Sequence, residues 1–181
     1  MNILKRIMTE SICVVVTGRH PDKVKEFVNK LVNYVDPVIT IKVFEDSGEK
    51  ELRDLYPCRN VIYSNSIETI DLKDAFVRHD AYCTVCQCMD KDDKVIRVLQ
   101  DAALCSNKTI CGNHSIDTES LILSLRNSMC NKHGLPVEVA INMVTDVVTH
   151  NIHLDENGEI EFIDKINKTG DEHTIESVFR I

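Results

Sequence analysis

Two aspartates, Asp93 and Asp101, flank the run KVIRVLQ and so stand about two helical turns apart if that run is helical. The first falls where a loop enters the helix or in its first turn, a position at which exposed amides and the macrodipole favour a carboxylate. The plain reading of the pair is a helix cap for Asp93 and a solvated surface charge for Asp101. His114 follows Gly112-Asn113 and His20 follows Gly18-Arg19, each at the expected end of a strand. A histidine so placed can contact a phosphate or act as acid or base, and Asp93 and His114 are the acid/base candidates. Each alone is more simply a loop residue, as Gly18-Arg19 is more simply a turn. His150 and His153 read as surface residues at the start of a hairpin.

Thiols offer a second chemistry, eight in all. Cys83, Cys86, Cys130 and His133 form a set adequate in donor type for structural zinc. Cys83 and Cys86, however, fall in an apolar strand, where residues three apart point to opposite faces. Buried, apolar cysteines are therefore expected, and no metal. No Ser–His–Asp order, Walker loop or dinucleotide G-x-G-x-x-G motif is present.

The elements that must position these groups alternate. Ser11–Thr17 is a short β-branched run ending at Gly18-Arg19, followed by a helix from Pro21 with apolar residues at helical spacing to Val35. Further strands are expected at Val38–Phe44, Asn60–Tyr63, Ala81–Cys86 and Thr109–Cys111. The helices between and after them fall at Glu49–Tyr56, Thr69–Arg78, Lys94–Leu104 and Ser115–Met129, the last capped by Ser115 or Asp117. That alternation predicts an α/β fold, a Rossmann-like parallel sheet of about five strands with helices on both faces. Ligands of such sheets bind beyond the carboxyl ends of the strands. Here those ends carry Gly18-Arg19, Glu45-Asp46, Ser64–Ser66, Cys88–Asp93 and Gly112–Ser115. A helix over Pro136–Asn151 and a hairpin over Asn151–Asp164, turning at DENG, form a C-terminal extension. Asp171–Ile181 fits either a short helix or an edge strand. Residues 1–10 read as a flexible leader and 11–181 as one α/β domain, with the sheet core at 11–133 and the extension at 134–181.

Composition narrows the partners. A net charge of −8 argues against general nucleic-acid or acidic-membrane binding, which needs clustered Lys and Arg. With no visible signal peptide and no membrane-length apolar run, a cytoplasmic location with reduced thiols is expected.

Asp93-KVIRVLQ-Asp101-AALCSN-Lys108-Thr-Ile-Cys, with Glu119–Ile122 beyond it, resembles the donor-binding half of the GT-B class of glycosyltransferases and its E-x7-E motif. The likeness extends upstream to SICVVVTGR, Asn60–Asn65 and Asp71–Phe76, and covers roughly Ser11 to Leu125. It implies a bound nucleotide or nucleotide sugar, with Asp101 on the ribose, Asp93 near the donor sugar, Gly18 admitting the diphosphate, Arg19 neutralising it and Ser66 in the same cleft. The sequence departs from the family in having Asp for Glu at both positions and CQCMDKDD in place of a glycine-rich loop. No acceptor-binding domain precedes the donor-like half, which implies a degenerate or partner-dependent module.

The expected function is thus nucleotide or nucleotide-sugar binding at the strand ends, with no cofactor beyond that ligand. One alternative is a non-catalytic interaction or scaffold protein, a homo-oligomer or one bound to a partner protein, with the hairpin as an exposed edge. The other is a small stand-alone nucleotide-processing enzyme using Asp93 and His114.

Overall fold

A computed structural model describes residues 3–44, 51–64, 82–89, 92–105, 108–170 and 172–181. The expected helix at Thr69–Arg78, the turn at Glu45–Gly48 and Ser66 lie outside the described residues. Eight strands form one sheet in the order β3-β2-β4-β5-β1-β6-β7-β8. These are β1 (Cys13–Gly18), β2 (Thr40–Phe44), β3 (Val61–Ser64), β4 (Tyr82–Cys86), β5 (Thr109–Asn113), β6 (Val148–Leu154), β7 (Ile160–Thr169) and β8 (Glu172–Arg180). β1 to β6 are parallel, and β7 and β8 continue the sheet antiparallel.

β1 is the centre of the sheet, flanked by β5 and β6, and every residue of CVVVTG is buried. A continuous β-branched run suits a strand covered on both faces, because alternate side chains must be apolar on each. Val14 and Val16 join the core on one face with Ile41, Val43, Cys83, Val85 and Ile110. Helices α1 (Ile3–Glu10) and α2 (Pro21–Leu31) cover this face through Ile7, Met8, Val24, Val28 and Leu31. Cys13 and Val15 face the opposite core with Cys86 and Cys111. There α4 (Asp92–Cys105), α5 (Thr118–His133) and α6 (Val137–Val147) pack over the sheet; α3 (Glu51–Leu55) is a short helix after β2.

Several expectations change. The stretch read as a leader is helical from Ile3, because Ile7 and Met8 form an apolar stripe 1% and 2% exposed. Lys108 fixes the end of that helix, its ammonium donating to the carbonyls of Met8 and Ser11. The helix expected over Pro136–Asn151 ends at Val147, and Val148 begins β6, a sixth parallel strand against β1. The hairpin therefore belongs to the sheet as β6 and β7, and one edge of the sheet is β8, formed by the segment left undecided between helix and strand.

Candidate functional site

The carboxyl edge of the parallel strands gathers four of the expected groups. Thr17 pairs in register with Asn113, which brings Gly18-Arg19 beside His114 at neighbouring strand ends. Asp93 lies in the first turn of α4, entered from the end of β4, the next strand over. Asp101 is elsewhere. Eight residues along a helix are about 12 Å, which carries it back toward the start of β4. It is fully buried and accepts hydrogen bonds from Lys42 Nζ at 3.3 Å, Tyr82 Oη at 2.9 Å and Thr84 Oγ1. Lys42 in turn lies over the rings of Phe44 and Tyr82, at 5.0 and 5.1 Å from their centroids. Asp101 thus ties α4 to β2 and β4, not to the ligand edge, and the D-x7-D pair does not converge.

The turn leaving β1 is short. Gly18, Arg19 and His20 lead directly into α2, whose first residue is Pro21 and whose first turn carries Asp22. A phosphate cradle at a helix N-terminus relies on free amide donors and a positive local field. Here proline removes one N–H, and the Asp22 carboxylate opposes an anion. Arg19 leans away toward the β6–β7 turn, 3.8 Å from Glu156 and two-thirds exposed. A β-carbon at Gly18 would lie 3.2 Å from Val24 and 3.3 Å from the Leu154 carbonyl, tighter than ordinary packing, so the neighbours would have to give by a few tenths of an ångström. Gly112 is different: a β-carbon there would lie 2.3 Å from the Gln87 carbonyl, so that strand end requires glycine for close backbone approach.

Behind this edge runs a chain of buried polar groups that sequence reading missed. Thr17 Oγ1 donates to Asn151 Oδ1 at 2.9 Å, so its other contact, His153 Nδ1 at 2.8 Å, must be the donor to it. Asn151 Nδ2 donates to Thr118 Oγ1 at 2.9 Å, and Thr118 donates to Asp164 Oδ2 at 2.7 Å. His153, expected at the surface, is 5% exposed and stacks on Phe162 at 4.7 Å. Burial lowers its pKa, which leaves an acceptor lone pair at Nε2, 3.7 Å from Glu161. His150 is also buried; burial brings its pKa down to about 4. It too is the Nδ1–H tautomer, since Ser11 spends its own proton on the Ile7 carbonyl. The visible signal was polar residues at alternate positions, Asn151 and His153, in a strand between apolar ones.

Asp117 caps α5, accepting from Ser120 N at 2.6 Å, which holds its carboxyl below the usual range. Beside this cap a groove of about 520 Å³ is lined by Asp117, Glu119, Glu161, Phe162, Asp164 and Arg180, among others. The zinc set is not assembled. Cys83 packs in the core on one face of the sheet and Cys86 in the other, while Cys130 sits on the last turn of α5 beside His133. No group of three or more metal-ligating side chains occurs among the described residues. Burial pushes the Cys83 thiol up to about 12 and raises Cys111 as well, so neither offers a thiolate.

The fold, a mixed sheet with a buried central β1, helices on both faces and an antiparallel margin, is similar to that of two solved structures. The VirB11 ATPase of the Brucella suis type IV secretion system, solved in complex with sulphate, superposes with a TM-score of 0.71 at 16% identity, over 88% of this chain and 51% of that one. The cytoplasmic domain of EssC matches at a TM-score of 0.50 and 9% identity, over 96% of this chain and 40% of that one. The chain thus spans about half of the first protein's length and less of the second's. No protein-family model and no curated protein matches the sequence. These likenesses overturn the glycosyltransferase resemblance. The strand–acid–helix order that carried it belongs to a sheet that superposes on other solved structures, and its second acid is a buried structural group. No described helix is long and apolar enough to cross a membrane.

Proposed function

We propose that this chain is a non-catalytic interaction module built on an ATPase-like α/β core. The observation that carries the reading is the β1–α2 turn. Two residues, Arg19 and His20, followed by Pro21 and Asp22 supply neither the loop length nor the charge that cradles a triphosphate. β8 supports an interaction role, since a nine-residue edge strand at the margin of the sheet is a template for pairing with another chain. Titration calorimetry with MgATP and a phosphate-release assay test this. Neither heat nor turnover is expected at millimolar nucleotide. Hydrolysis abolished by Arg19→Ala would overturn it.

A second reading keeps a nucleotide at the strand ends, with Gly18, Arg19, Ser66 and Asp93 as contacts and His114 as acid or base. The shared edge of Gly18, Arg19 and His114 and the fold likeness to an ATPase support it. Asp101 enters this reading only as the group that fixes α4. Saturable heat with MgATP, lost in Arg19→Ala and His114→Ala, is the outcome it requires.

A further inference from the structure

Asp164 is buried but only half satisfied. Its Oδ2 accepts from Thr118, whereas Oδ1 has no hydrogen-bond partner among the described residues. The side chain is 6% exposed, and Arg180 Nη2 stands 3.9 Å from this oxygen, inside ion-pair range but too far for a hydrogen bond. Leaving a buried carboxylate oxygen without a donor is unfavourable, and native structures seldom do so without a reason. Around this oxygen the groove carries three further carboxylates, Asp117, Glu119 and Glu161, against the one guanidinium of Arg180. Phe162 also lines it, with Arg180 over its ring at 5.2 Å. Arg180 is itself 64% exposed and comes from the edge strand β8.

An aromatic face, a buried carboxylate with a free lone-pair direction and an acidic rim together suit a planar cation that donates several N–H bonds. A bare metal fits less well, because the described carboxylates do not converge as a ligand set. A small ammonium would use the charge but not the ring and the fork geometry together.

We infer that the groove between the start of α5 and strands β7 and β8 is a guanidinium-binding site, in which Arg180 is a loosely held internal occupant that an external guanidinium displaces. Asp164 Oδ1 supplies the charge-assisted acceptor, Phe162 the stacking face and Glu161 the rim charge. The polar chain from His153 through Thr17, Asn151 and Thr118 holds Asp164 in place. This deepens the interaction reading by naming the chemistry of its partner: an arginine side chain of another protein, or a free guanidinium compound.

The test is titration of the full chain with agmatine and with the pentapeptide amide Gly-Gly-Arg-Gly-Gly, against the citrulline peptide as neutral control, followed by backbone-amide NMR. Arg180→Ala is expected to tighten both guanidinium probes about tenfold, because the internal competitor is gone. Asp164→Asn in that background is expected to weaken them about tenfold, one charge-assisted bond being lost. Glu161→Gln, at a half-exposed rim position, leaves folding intact and is expected to weaken them about threefold. A peptide that binds more tightly than agmatine identifies a protein source, and equal binding identifies the free group. Equal affinity in wild type and Arg180→Ala, binding of the citrulline peptide, or insensitivity to both carboxylate changes would overturn the inference. Those failures leave the nucleotide result untouched, so the groove and the interaction reading fail separately.

Discussion

Asp101 and Asp164 are both buried carboxylates on the same face of one sheet, and they solve opposite problems. Asp101 has three donors from two strands, one of them the Lys42 ammonium. Asp164 has a single hydroxyl and a guanidinium held off at 3.9 Å. A charge whose lone pairs are all engaged fixes the fold and leaves nothing for a ligand. One left half engaged beside a groove costs stability and gains the capacity to bind. The contrast divides the molecule: the β2–β4–α4 region holds a fully engaged charge, and the β6–β7–β8 margin holds one that is half engaged.

The most damaging way to probe that contrast is Asp101→Ala. It strands Lys42 and two hydroxyls, and should cost about 3–5 kcal/mol in urea unfolding. Adding Lys42→Met should recover part of the loss, since the orphaned charge goes with it. Next in size is the acid response of the β6 side. His150 has a folded pKa of about 4 against an ordinary 6.5, so between those values the unfolded chain binds the extra proton. Stability from this group is therefore complete above about pH 7 and falls as pH drops from 6.5 toward 4. The loss is about 3 kcal/mol, and His150→Asn should flatten that part of the curve. Asp117→Ala removes the α5 cap at the rim of the groove and should cost about 1 kcal/mol. Smallest is Asp164→Asn, which should be neutral or stabilising by up to about 1 kcal/mol, because it removes a charge that the fold does not fully compensate. A loss there equal to that of Asp101→Ala would erase the distinction.

Much of the first region was legible in the sequence, and most of the second was not. Apolar runs such as CVVVT and helical spacing in α2 and α4 report their own burial, because their partners need only be apolar. Asp101 even carried a local signal, standing three residues after the buried Val98 on the same stripe of α4. β6 hid in plain view: THNIHL reads as surface until Ser11, Thr17 and Thr118, distant in the chain, supply its hydrogen bonds. Likewise, the unsatisfied oxygen of Asp164 is a property of what fails to reach it, and no spacing along one strand records that. The E-x7-E likeness misled for the same reason, since spacing placed two acids on one helix and said nothing of the sheet beneath.

The central claim is that the turn after β1 does not accept a phosphate. Amide-resolved NMR of the wild-type chain titrated with millimolar MgATP tests it most directly. The account predicts that the signals of Gly18, Arg19, His20, Asp22 and Lys23 stay where they are. Saturable shifts confined to those residues would contradict it.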